Sequence, residues 1–223
     1  MKLIYSPELL EVEITSDRPT VLSIENPEIY LRIMVDLWNQ YNGQEGGFHL
    51  LDHETERKIS KEICFILNPI LVDCNERKIL TKVYDQLKED AITYLADELA
   101  EMNRITAGFL DKLVMAEPYH LDFEPMADVT GICKLYNIRL DYPENSLVDK
   151  IVDYIRLYHQ VFRCNYYVIS GLKSFLNSDD LQMFYQACQS EQIGLLLLEN
   201  HLQHQVPEEN NIIIDFDKCL ISL

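Results

Sequence analysis

The sequence predicts an α/β protein: a mostly parallel sheet with helices on both faces, interrupted by an inserted all-helical segment. Three observations predict it. Apolar residues make up 48% of the 223 residues, enough to bury a proper core. Both ends of the chain carry short apolar runs separated by amphipathic stretches, the pattern of strands and covering helices. The middle carries a three- or four-residue apolar repeat with almost no Gly or Pro, the pattern of long helices.

The elements follow in order. Leu10 to Ile14 alternates apolar and polar residues, as a half-buried strand does, and Thr20 to Ile24 is a more buried second strand. Asn26-Pro27-Glu28 opens a helix with a capping residue and a first-turn proline, and Ile29, Ile33, Leu37 and Trp38 share one side of it. Three of the seven glycines lie between Gly43 and Gly47 and mark a turn. Phe48 to Asp52 and Ile63 to Leu67 read as the third and fourth strands. From Glu76 to about Ala116 the apolar repeat predicts one very long helix or two nearly continuous ones, with Asn75 as candidate N-cap. Val129 to Tyr136 is a short helix, Ile138 to Leu140 reads as a strand, and Ser146 to Phe162 repeats the amphipathic pattern. Tyr166 to Ser170, Ile193 to Glu199 and Asn211 to Asp215 are buried strands, with a helix capped at Ser178 to Asp180 between the first two. One sheet completed by both ends gives a discontinuous head, residues 1–73 and 164–223, and a helical leg, residues 74–163.

The chain opens Met1-Lys2-Leu3-Ile4-Tyr5-Ser6-Pro7, without an apolar run and cleavage site, and no apolar run is long enough to span a bilayer. The expectation is a soluble, cytoplasmic protein with no membrane partner. The six cysteines are widely spread and form no C-x-x-C pair, so they read as reduced thiols. The net charge of −18 opposes nucleic acid, whose readers carry a basic face. The charge is uneven, however. Residues 57–88 hold seven Lys or Arg (Arg57, Lys58, Lys61, Arg77, Lys78, Lys82 and Lys88) against four acids. Either this stretch meets an anion or it forms ordinary solvated helix faces.

No stretch carries a complete catalytic set, so a binding protein is expected rather than an enzyme. Nucleotide-binding folds seat phosphate at a Gly-rich turn after the first strand of the sheet. Here the turn Ser23-Ile24-Glu25-Asn26-Pro27-Glu28 has no glycine, no lysine and two carboxylates. Ser170-Gly171 lacks the preceding glycine of a nucleophile elbow, because residue 168 is Val. Asp52-His53 has no nucleophile tied to it by spacing, and His201 and His204 have no third ligand nearby. Glu117, His120, Asp122, Glu124 and Asp128 are either an acidic solvated turn or ligands for a hard cation such as calcium.

Leu50-Leu51-Asp52-His53 closes a strand and is followed by Arg57, Lys58 and Lys61, a long helical excursion, and Leu121-Asp122-Phe123-Glu124. With the strands at Tyr166 to Ser170 and Ile193 to Glu199, this order resembles the Csn-two family, accessory adaptation proteins of type II-A CRISPR systems. The likeness covers nearly the whole chain and consists of element order and short matches. It implies a head related to P-loop NTPases without the phosphate loop, and an α-helical leg. It also implies a homotetrameric ring around double-stranded DNA, calcium at acidic positions, and spacer acquisition alongside the integrase complex and the effector nuclease, without catalysis. By position, Arg57, Lys58 and Lys61 correspond to the DNA-facing segment. Charge asymmetry adds Arg77, Lys78 and Lys82. Asp122, Glu124 and Asp128 fall where the family places calcium-region acids, although Pro118-Tyr119-His120 replaces a stretch richer in acids. The alternatives are an adaptor docking other proteins through its long helices, and a metal-dependent hydrolase using Asp122, Glu124 and Asp128.

Overall fold

The structure, a computed structural model, describes residues 1–141 and 146–222. Its contacts divide the chain into two units, Met1–Asp73 with Tyr142–Leu223, and Cys74–Asp141.

The first unit begins with β1 (Lys2–Tyr5), β2 (Leu10–Glu13), β3 (Thr20–Ile24), α1 (Pro27–Tyr41), β4 (Phe48–Asp52), β5 (Thr55–Arg57), the single turn α2 (Ile59–Glu62) and β6 (Ile63–Ile66). The second unit contributes α3 (Arg77–Tyr94), α4 (Ala96–Met115) and α5 (Val129–Leu135). The first unit then resumes with α6 (Leu147–Phe162), β7 (Tyr166–Ser170), α7 (Ser178–Ser190), β8 (Gly194–Glu199), β9 (Asn210–Ile214) and β10 (Leu220–Ser222).

The main sheet has the order β10-β9-β3-β8-β7-β6 and is parallel except for β10. Every residue of β3 and β8 is buried, as continuous apolar strands between two helical layers require. The chain enters beside the middle, at β3, and its later strands lie on both sides, so the sheet has a switch point there. The expectation of a single sheet is corrected. β4 does not join the parallel sheet but pairs antiparallel with β1, within a second sheet of order β2-β1-β4-β5. The reason is legible in β2, whose residues alternate buried and exposed, the mark of an antiparallel layer with one wet face.

The core lies between the two sheets. Leu3, Tyr5, Leu10 and Val12 of the small sheet meet Ile29, Ile33 and Leu37 of α1 over Leu22, Leu196 and Leu198 of the main sheet. Strand side chains alternate in direction, so Tyr167 and Leu197 face the opposite side. There the Tyr167 hydroxyl donates to the Ile155 carbonyl at 3.1 Å, and its ring meets Tyr158, so α6 covers that face. This corrects the expected second boundary. The sequence pattern places α6 in the leg, yet the helix buries seven residues, Tyr158 among them, and belongs to the first unit.

Within the second unit the long apolar repeat is two helices. They meet at Leu95, whose φ of −126° and ψ of 32° break the ladder without Gly or Pro. α3 buries Ile79 and Tyr84, whereas no residue of α4 is buried. Asn75 is not the cap: Glu76 holds that position, and the Asn75 amide binds both backbone groups of Leu140 at 2.8 and 3.0 Å. That pairing satisfies a segment expected to be a strand, and residues 138–140 are not one. Among the described residues, no helix is long and apolar enough to cross a membrane.

Candidate nucleic-acid interface

The turn from β3 into α1 is where a parallel sheet of this order would offer backbone amides to a phosphate. Here Asn26 consumes them. Its Oδ1 accepts from the amides of Glu28 at 3.1 Å and Ile29 at 3.2 Å, while its Nδ2 donates to the Phe216 carbonyl at 3.0 Å. The Glu25 amide donates to the Ile214 carbonyl at 2.8 Å. Two carboxylates, Glu25 and Glu28, flank the turn and oppose any anion.

The carboxyl ends of β7 and β8 carry a buried polar network that the sequence reading missed. Lys173, Glu199 and Glu209 are each at most 5% exposed. The Lys173 ammonium donates to both Glu209 oxygens at 2.7 and 2.8 Å, and the Tyr185 hydroxyl donates to Glu209 at 2.6 Å. Glu199 accepts from the Lys173 amide at 2.9 Å and from Gln203 at 3.1 Å. Burial pushes the Glu199 carboxyl up to about 7, opposed by the Lys173 amide and ammonium. No water-exposed nucleophile belongs to this group, and its geometry reads as a clip holding the segment after β8 to the turn Leu172–Ser174. Its one sequence signal was an acid ending a fully apolar strand, and its charged neighbours Lys173 and Glu209 stand 26 and 10 residues away. Ser170, the candidate half of an elbow, shares a hydrogen bond of 3.1 Å with the Tyr30 hydroxyl rather than with a histidine.

Arg57, Lys58 and Lys61 are exposed and lie where β5 hands over to α2. β4 and β5 form a tight antiparallel pair, with Asp52 opposite Thr55, and this hairpin carries the basic segment to the surface. Arg57 holds Asp52 at 3.2 Å across it. Among the described residues, no carboxylate lies within ion-pair distance of Lys58 or Lys61. Arg57 and Lys58 line a cleft of about 400 Å³ together with Gln40, Gln44, Ser60 and one carboxylate, Glu56, which His49 holds at 2.8 Å. Arg77, Lys78 and Lys82 are exposed on the first two turns of α3, and Arg77 and Lys82 have no ion-pair partner among the described residues. The six basic residues thus fall into two sets, one in each unit.

The expected metal ligands are not gathered. Asp122, Glu124 and Asp128 are exposed. Asp128 binds Lys88 at 2.8 Å, a hydrogen bond that holds its carboxyl below the usual range and raises the lysine. Asp122 accepts from the next backbone amide at 2.9 Å. Among the described residues, no three His, Cys, Asp or Glu side chains form a group able to hold a metal ion. A cation wanting six to eight oxygens does not fit these residues as arranged.

The family model for "CRISPR-associated protein (Cas_Csn2)" matches residues 40–218. The chain belongs to this family. Cas_Csn2 membership places it in type II-A CRISPR adaptation. The crystal structure of Stu0660 of Streptococcus thermophilus superposes at a TM-score of 0.62 with 14% identity, covering 100% of this chain and 76% of that one. At that identity the likeness speaks for the α/β fold alone. An ABC transporter ATP-binding protein of Pyrococcus furiosus is 12% identical and covers 91% of this chain and 88% of its own, but its TM-score of 0.39 carries no argument. No curated protein matches.

Proposed function

We propose that this Cas_Csn2 protein is a non-catalytic, sequence-independent binder of double-stranded DNA that assists spacer acquisition as a homotetrameric ring, alongside the integrase complex and the effector nuclease. The observation that carries the reading is the exposed pair Lys58 and Lys61, without carboxylate partners among the described residues, in a chain of net charge −18. Cations left unpaired amid such an acid excess are available to phosphate, and four copies would bring four such segments to one axis. Phosphate contacts carry no base information, so binding should be indifferent to sequence and steeply dependent on salt. Arg77, Lys78 and Lys82 supply a second set of contacts.

Electrophoretic shifts of a linear duplex test it. Changing Arg57, Lys58 and Lys61 together to Ala should weaken binding at least about tenfold and flatten the dependence on salt, since each lost contact lowers the slope by roughly one. Equal binding by the variant sinks the assigned surface, and a monomer in sedimentation sinks the ring. One observation favours a second reading, an adaptor that docks through its helices. Ile105, Phe109 and Leu113 lie at helical spacing on α4 and are 58%, 63% and 50% exposed. That reading predicts no duplex shift at low salt and a stable protein partner.

A further inference from the structure

A second cleft with cationic walls lies in the helical unit. α3 and α5 pack together within this unit, and Tyr84, 7% exposed, anchors the packing by donating to the Ile138 carbonyl at 2.5 Å. Beside that contact is a cleft of about 450 Å³. Arg77, from the first turn of α3, and Lys134, from the last turn of α5, both line it, with Thr81 and Thr130 as further walls and Leu80 and Tyr84 as the apolar floor. No carboxylate lines it. Both cations are exposed, and neither has an ion-pair partner among the described residues.

The surrounding charges set this cleft apart. Lys88, also on α3, is consumed by Asp128, and Arg104 on α4 is consumed by Glu101 at 2.6 Å. In a chain with 37 acids and 19 Lys or Arg, a concavity holding two unneutralised cations and no acid has a local charge opposite to the whole. The two cations lie 57 residues apart in sequence, so only the packing of α3 on α5 brings them to one cleft. Two cations of different length and shape suit a tetrahedral oxyanion, because Arg offers a planar fork and Lys a point charge. The Thr81 hydroxyl donates to the Arg77 carbonyl at 2.7 Å and so braces the first turn of α3 rather than meeting the anion.

We propose that this cleft binds a phosphate of a nucleic acid backbone, with Arg77 and Lys134 as its two cationic arms. The inference rests on the DNA-binding function proposed above and adds Lys134 and Thr130 to it. Lys78 and Lys82 do not line the cleft and are not part of the seat.

The test uses the full chain, a linear duplex, and inorganic pyrophosphate as a separate probe. The wild type is compared with Arg77→Gln/Lys134→Gln and with a control, Lys112→Gln, an exposed cation on α4 away from the cleft lining. Circular dichroism and sedimentation confirm that the variants keep fold and assembly. The double variant should raise Kd for all duplex sequences alike, by about tenfold at moderate salt. It should lower the slope of log K against log salt by about 2 per engaged copy. Arg77→Lys/Lys134→Arg, which keeps both charges, should recover most of the affinity. A double variant that binds like the wild type overturns the cleft while leaving the proposed function standing. A wild type that binds no duplex at low salt overturns both. If the double variant loses pyrophosphate binding but keeps duplex binding, the seat takes a free anion and the assignment to nucleic acid falls.

Discussion

Replacing Glu199 with Gln should change how the stability of the α/β unit depends on pH. Glu199 is completely buried, and its carboxyl sits at about 7 instead of the 4.5 of a free side chain. A raised carboxyl favours folding in its neutral form. Its contribution is therefore complete below about pH 4.5, declines as pH rises, and is lost above about 7. A gap of roughly 2.5 units at 1.36 kcal/mol per unit corresponds to about 3 kcal/mol. Urea unfolding at pH 5 and pH 8 reads this directly. Trp38 is the only tryptophan and lies in the α/β unit, so its fluorescence reports on the relevant transition. The Gln side chain keeps an acceptor for the Lys173 amide and cannot ionise. Relative to the wild type, Glu199→Gln should gain on the order of 3 kcal/mol at pH 8 and little at pH 5. Lys173, Glu209 and Gln203 face the carboxyl and are unchanged in both proteins, so the difference between proteins isolates position 199. The same difference at both pH values would refute the reasoning.

Two further outcomes follow from the same unit. Lys173→Met should cost about 3–5 kcal/mol, because it strands the Glu209 carboxylate in the interior, and adding Glu209→Leu should recover a large part of that loss in a double-mutant unfolding cycle. Asn26→Ala should cost about 1–2 kcal/mol in urea unfolding at neutral pH, because the amides of Glu28 and Ile29 lose their acceptor.

The strands of the main sheet were legible because a strand buried on both faces is a continuous apolar run. Thr20 to Ile24, Tyr166 to Ser170 and the run ending at Glu199 all carry that mark. The cap at Asn26 and the proline after it were legible for local reasons too, since both act on backbone groups within three residues. What was hidden depends on distant partners. β1 is four residues long and takes its identity from pairing with β2 and β4, so nothing within it announces a second sheet. The break at Leu95 involves neither Gly nor Pro and has no composition to betray it. Asn75 has the composition of a cap, but its amide is claimed by Leu140, 65 residues away. In the site, the basic residues were readable as charge, whereas which of them are neutralised was not. Lys88 looks the same in sequence as Lys82, and only the fold brings Asp128 to it. Lys134 stood outside the basic stretch and joins Arg77 only through the packing of α5 on α3.

The turn after β3 is, in effect, a binding site that carries its own ligand. The Asn26 side-chain Oδ1 is tethered immediately before the helix it caps and needs no translational freedom to be surrendered when it docks. A dissolved anion competing for the same amides would have to dislodge this resident and then tolerate Glu25 and Glu28. Reopening the turn to phosphate would therefore take at least three coordinated substitutions, each of little use without the others. Such a requirement closes this turn to phosphate more firmly than the absence of a glycine alone.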